Sequence, residues 1–183
     1  MRQSMGATPK ISIRRGGPGD EFALSLIGQA AFLEAFAGTI PGKDIIEHCA
    51  HQHAREKYAA WLQDSSTVIW LAEIEPGHAP VGYLVLTTPE LPLPDLSQQD
   101  AEIKRIYLLH RFQGSGIGAR LMRAAHDEAQ ARGLHRLLLG VYGKNAAAIS
   151  FYEKQGYRIV GRRTFKVGSN TYDDFIFGLS IGT

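Results

Sequence analysis

Only one cysteine, Cys49, stands among the 183 residues. That excludes an intrachain disulfide framework and accords with a reducing compartment. Its simplest role is that of a small buried apolar side chain rather than a nucleophile. No apolar run approaches the ~20 residues that cross a bilayer, and Met1–Gly6 lacks the apolar core of a secretory signal. These absences predict a cytoplasmic protein with no membrane partner. A long Lys/Arg block is also missing and the net charge is only +2, which argues against nucleic acid as a partner. No repeat, low-complexity tract or linker interrupts the chain. The expectation is a loose tail over residues 1–9 and one domain over residues 10–183, long enough to bury a core without metal or disulfide. His48, His51 and His53 share one predicted helix, but their i, i+3, i+5 spacing has no matching carboxylate pattern, so no metal site is expected.

An apolar fraction of 44% with 21% charged residues is ordinary for a globular domain. Ile11–Arg14 alternates as a short strand. After the glycine-rich break at Gly16–Gly19, Asp20 is a candidate cap for a helix to about Ala31, with a further helical piece from Phe32 to Ala37. Gly38 and Pro41-Gly42 mark a turn, and apolar residues at helical spacing predict one helix from Lys43 to Gln63. Strands are predicted over 67–73 and 81–86, joined as a hairpin at Pro76-Gly77. A proline-bearing loop over 89–99 leads to a strand at 102–109, a glycine loop, a helix at 116–132 and a strand at 136–142. A helix at 146–155 stopped by Gly156, and strands at 157–166 and 172–181, complete the order. The fold class is α/β, a mixed sheet with helices on its faces. Its strand–helix–strand unit at 102–142 should be parallel and right-handed.

The loop Gln113-Gly114-Ser115-Gly116-Ile117-Gly118-Ala119 lies between a strand and a helix. Glycines there let backbone N–H groups approach a phosphate, and the helix start adds the positive end of its dipole. Gly114-x-Gly116-x-x-Ala119 formally satisfies a dinucleotide fingerprint. Its context fails: His110–Gln113 separates strand from glycine, and no carboxylate ends the next strand at Tyr142 to hold a ribose.

Read instead as Q/R-x-x-G-x-G/A, the loop places Gln113, Gly116 and Gly118 in a second pattern. Val141–Tyr157 contributes a partner signature, V-x-x-x-N-x-x-A-x-x-F-Y-E-K-x-G-Y, built on Asn145, Ala148, Phe151, Tyr152 and Gly156. With both signatures in order over residues 102–157, the chain resembles the GCN5-related N-acetyltransferases (GNATs). Glu102–Tyr107, Phe32-x-x-x-Phe36, Phe165-x-x-Gly168 and Asp173-Asp174 further resemble the PaiA-type spermidine/spermine acetyltransferase branch.

The resemblance implies a GNAT fold: a central, mostly antiparallel sheet with one splayed parallel strand pair and helices on both faces. It implies acetyl-CoA as co-substrate, no metal, and transfer of acetyl to a primary amine of a small molecule, a polyamine being one option, by direct attack on the thioester. Gln113, Gly114, Ser115, Gly116, Ile117, Gly118 and Ala119 would cradle the pyrophosphate through backbone N–H groups. Arg111, Arg120 and Lys144 are candidates for the 3′-phosphate. Ile106, Tyr107 and Leu108 would bond the pantetheine arm through their backbone, with an N–H near Leu108 polarising the thioester carbonyl. Tyr152 would be the acid for the departing thiolate. Asn145 would cap its helix and contact the CoA arm. Glu102, four residues before Ile106 and so on the same face of a regular strand, is the candidate base through a relaying water; Glu34, Asp173 and Asp174 are alternatives. A non-catalytic acyl-CoA sensor of the same fold is the competing class, and Tyr152 with Asn145 favours the enzyme. A slightly basic chain (pI ≈ 8.7) argues against a polyamine acceptor, and a peptide or protein amine stays open. A monomer or an edge-strand homodimer is compatible with the sequence.

Overall fold

The computed structural model describes residues 10–182; the expected N-terminal tail lies outside them. Seven strands form a single sheet in the order β1-β2-β3-β4-β5-β7-β6. They are β1 (Ile11–Arg15), β2 (Val68–Ile74), β3 (Ala79–Thr87), β4 (Asp100–Leu108), β5 (Arg136–Tyr142), β6 (Arg158–Val167) and β7 (Asn170–Ser180). Every neighbouring pair is antiparallel except β4 and β5, which run parallel. The helices are α1 (Glu21–Phe36), α2 (Gly42–Gln52), α3 (Arg55–Gln63), α4 (Ile117–Ala131) and α5 (Ala146–Lys154).

β2 and β3 are buried along almost their whole length, because helices cover both sides of the sheet centre. On one face Leu24 and Ile27 of α1 and Tyr58 of α3 pack on Ile69, Leu71, Tyr83 and Val85. On the other, Ile117, Leu121, Met122, Ala125 and Ala129 of α4 recur at helical spacing and meet Val68, Leu84, Leu86, Ile103, Leu137 and Leu139. α2 is set apart: Ile45 and Cys49 join Phe32, Ile40 and Val167, and Asn170 Nδ2 donates to Asp44 Oδ2 at 2.8 Å. α2 thereby bridges from α1 to the β6–β7 hairpin. Cys49 is buried in that cluster, and burial pushes its thiol up, which suits the packing role.

Three local expectations are corrected. The two pieces predicted between Asp20 and Ala37 are one helix, α1, because Leu24, Ile27, Ala31 and Phe32 form one continuous buried stripe. Asp20 does not cap it; its carboxylate instead takes the Arg14 guanidinium at 2.8 Å and the Gly17 N–H at 2.8 Å. The single helix expected over 43–63 is broken between α2 and α3 at His53-Ala54, where Ala54 is extended (φ −65°, ψ 149°). The freed His53 carbonyl accepts Ser25 Oγ at 2.7 Å, so a tertiary bond replaces a helical one.

Candidate active site

β4 and β5 pair only from Asp100↔Arg136 to Ile103↔Leu139, and beyond that point they part. The closed end is clamped by Arg136, whose Nε and Nη2 reach the two Asp100 oxygens at 3.0 and 2.8 Å, a bidentate pair between register partners. The parting begins at a β-bulge. Val85 pairs Arg105 and Leu86 pairs Ile103, so Lys104 is an extra residue in β4. The bulge reverses the alternation. Ile103 and Ile106 both pack on the α4 side, whereas Glu102, Arg105 and Tyr107 line a cavity on the α1–α2 side. The expectation that Glu102 and Ile106 share a face is therefore wrong: they lie on opposite faces, because regular period-two spacing does not survive an inserted residue.

On the α4 side, β4 leads into the glycine loop through a 3₁₀ turn at His110–Phe112. Gly114 (φ 73°) and Gly116 (φ 82°) are left-handed, a conformation that only glycine adopts without strain. Gly118 is needed for another reason: a Cβ there would stand 3.2 Å from Phe151 Cζ of α5. Among the described residues no backbone N–H from Gly114 to Ala119 donates to a protein acceptor, and α4 begins at Ile117 without a side-chain cap. A row of free donors at a helix start suits a pyrophosphate. Gln113 Nε2 donates to Leu108 O at 3.2 Å and Ser115 Oγ to Phe112 O, so these side chains shape the loop. Of the predicted cations, Arg120 donates to Ile11 O at 3.0 Å and Arg111 lies over Phe112. Lys144 is exposed beside a shallow depression between β5 and the β6–β7 hairpin.

Asn145 caps α5, its Oδ1 accepting the Ala148 N–H at 3.1 Å. Two turns along, the Tyr152 ring packs on Phe151, Tyr157 and Phe177 and is 7% exposed. Its hydroxyl makes no hydrogen bond to protein among the described residues, yet it is not a sealed polar atom, so it meets open space. Burial first, and then the Tyr107 phenol, push its acidity constant well above the ordinary tyrosine value. Tyr107 is half-buried, pushed up to about 12 by desolvation, and opens on the cavity across the sheet.

That cavity has a volume of about 350 Å³ and is walled by α1, α2, β4, β5 and the β6–β7 hairpin, within the range of small-molecule sites. Glu102 sits at its closed end, 1% exposed; Oε2 accepts the Glu90 N–H at 2.8 Å and Oε1 lies 3.5 Å from Lys104 Nζ. Asp174 faces the cavity and pairs Arg163 at 3.2 Å, and burial raises its carboxyl. Asp173 alternates to the exposed face of β7. Glu34 is not in the cavity: it accepts the His110 N–H at 2.6 Å and ties the 3₁₀ turn to α1.

Sequence reasoning missed a buried polar cluster behind Glu102. His53 Nδ1 and Tyr58 Oη lie 2.8 Å apart, Tyr58 Oη and Tyr83 Oη 2.8 Å apart, and Arg105 Nη1 donates to Tyr58 Oη at 2.9 Å. His48 stacks on Phe32 and lines the cavity with His53. Burial, aided by Arg105, lowers His48 to about 4 and His53 to about 2, so both imidazoles are neutral at pH 7. The described residues contain no group of three or more His, Cys, Asp or Glu able to hold a metal, and no helix long and apolar enough to cross a membrane.

The acetyltransferase (GNAT) family model matches residues 35–157. The chain belongs to the GNAT family. An uncharacterised N-acetyltransferase of Mycobacterium bovis is 33% identical over 120 residues, 66% of this chain and 71% of its own. The PaiA N-acetyltransferase of Thermoplasma acidophilum, solved in complex with coenzyme A, superposes with a TM-score of 0.76 at 21% identity, over 93% of this chain and 99% of that one. An N-acetyltransferase of Staphylococcus aureus gives 0.70 at 22% identity, covering 94% and 99%. At such identities the likeness carries the fold and assigns no branch. As a GNAT, this chain is an acetyl-CoA-dependent N-acetyltransferase with the family's splayed mixed sheet.

Proposed function

We propose that this GNAT acetylates the primary amine of a small molecule, which attacks the thioester directly from the α1–α2 side of the sheet. The observation that carries this reading is the parting of β4 and β5 at Lys104, with free N–H donors on one face and a cavity on the other. The free N–H groups of Gly114 to Ala119 would hold the pyrophosphate, while the Gln113 N–H is taken by the His110 carbonyl at 3.0 Å and its side chain shapes the loop. Backbone groups of Ile106, Tyr107 and Leu108, which have lost their β5 partner, would bond the arm, and Asn145 would contact it. Acetyl-CoA, when bound, supplies the thioester carbonyl and a thiolate leaving group.

In the transfer, the C–S bond breaks as the C–N bond forms. Two protons then need a donor and an acceptor. Tyr152 is protonated and open at its hydroxyl, and it gives its proton to the thiolate. Glu102, which the bulge turns toward the acceptor, takes the ammonium proton through a water. A cavity of about 350 Å³ walled by α2 and the hairpin favours a small molecule over a folded protein's lysine. Coenzyme A release across a panel of small amines and lysine peptides tests this. Turnover of small amines is expected; turnover confined to peptides would overturn it.

A further inference from the structure

Arg105 is the group in the acceptor cavity that acetyl transfer itself leaves unused. Its guanidinium lies over the rings of Trp61 and Tyr58, with centroids 4.8 and 5.5 Å away. Nη1 is taken up by Tyr58 Oη, with His53 Nδ1 at 3.4 Å. The remaining nitrogens bond no protein group among the described residues, yet none is a sealed orphan; with Arg105 lining the cavity, they open into it. No described carboxylate lies within 4.0 Å of the guanidinium. Rings over its faces and neutral phenols at one edge stabilise a cation without cancelling its charge.

The other charges in the cavity are largely accounted for. Lys104 Nζ lies 2.7 Å from Glu90 and 3.5 Å from Glu102, and Arg163 holds Asp174. Lys166 also lines the cavity but is exposed. With His48 and His53 neutral, the four cations outnumber Glu102 and Asp174, so the lining has an excess of positive charge, with half-buried Arg105 among its sources. A largely desolvated guanidinium without a counter-charge is costly unless a ligand supplies one. Its planar fork of donors matches a carboxylate, accepted through two parallel hydrogen bonds.

We propose that Arg105 binds a carboxylate of the acceptor, so that the substrate is a small amine that also carries a carboxylate, of amino-acid type, rather than a polyamine. Glu102 projects from the same face of β4, which suits opposite charges on one small zwitterion. The inference rests on the cavity being the acceptor site.

The test uses the full chain and sets of amino acid, its amide and its decarboxylated amine, with spermidine alongside. The free acids are expected to exceed their partners at least 10-fold in kcat/KM. Arg105→Gln should collapse the acid-to-amide ratio toward one, mainly through KM for the acid, and Arg105→Lys should restore part of it. A merely structural arginine would lower all substrates alike and leave the ratio intact. Without coenzyme A present, calorimetric titration of the preferred amino acid should show binding to the wild type and at least 10-fold weaker binding to Arg105→Gln. Should Arg105→Gln fail to fold, the wild-type comparison decides alone. Equal use of acids and amides, or a preference for spermidine, overturns the inference and leaves the acetyltransferase reading standing. Absence of coenzyme A release with every amine overturns both.

Discussion

Tyr152 shows what burial does to a phenol. The side chain extends from α5 into a packed aromatic cluster, and desolvation keeps it protonated across the physiological range. It is suited to giving a proton and not to taking one. Tyr152→Phe should lower kcat on the order of 10²-fold, while the acetyl-CoA dissociation constant stays within a few-fold. Pre-steady-state measurement of the chemical step checks this, and an unchanged step would remove Tyr152 from the acid role. Asn145 and Tyr152 were legible in the sequence because both lie on one helix, at a spacing that the helix itself enforces. Arg105, Tyr58, Tyr83 and His53 were not. Arg105 and His53 are 52 positions apart in the chain, and no local pattern signals that four elements will bring their polar ends together.

The same contrast holds among the elements. Their order was readable because apolar periodicity and glycine breaks are local properties. The bulge at Lys104 was not, since it is defined by a count against β3 rather than by anything in β4. The break at His53-Ala54 was hidden in the same way: the apolar spacing runs on through it, and what stops the helix is the Ser25 hydroxyl on α1. Gly28, in the middle of α1, has a comparable origin. A Cβ there would collide with Tyr58 Oη and stand 2.5 Å from His53 Nδ1, so the helix gives up roughly 1 kcal/mol of propensity to admit that bond. Gly28→Val should separate α1 from α3 and destabilise the fold by about 2–3 kcal/mol, read as a shift in the urea midpoint. A midpoint unchanged from wild type would mean that the Tyr58–His53 pair yields freely.

For the molecule as a whole, the buried His53 and half-buried His48 imidazoles set a pH limit. Folding lowers His48 from 6.5 to about 4 and His53 from 6.5 to about 2, so in this window the unfolded chain binds more protons. Stability is then complete above about pH 6.5 and is lost as pH falls toward 4. Asp174, raised by burial, acts in the opposite sense as one carboxylate against two imidazoles. The melting temperature should fall steadily between pH 7 and pH 4.5. His48→Phe, which preserves stacking on Phe32, should flatten that slope; an equally steep slope in the variant would assign the effect elsewhere.

The parting of β4 and β5 has a consequence for inhibition. On the proposed assignment, donor and acceptor enter from opposite faces and meet only at the slot, so neither occupies the other's space. Coenzyme A tethered through its sulfur to a carboxylate-bearing amine would thread the sheet and engage the glycine loop and Arg105 together. The tether converts the second contact into an intramolecular one, and such a compound would bind far more tightly than either half alone.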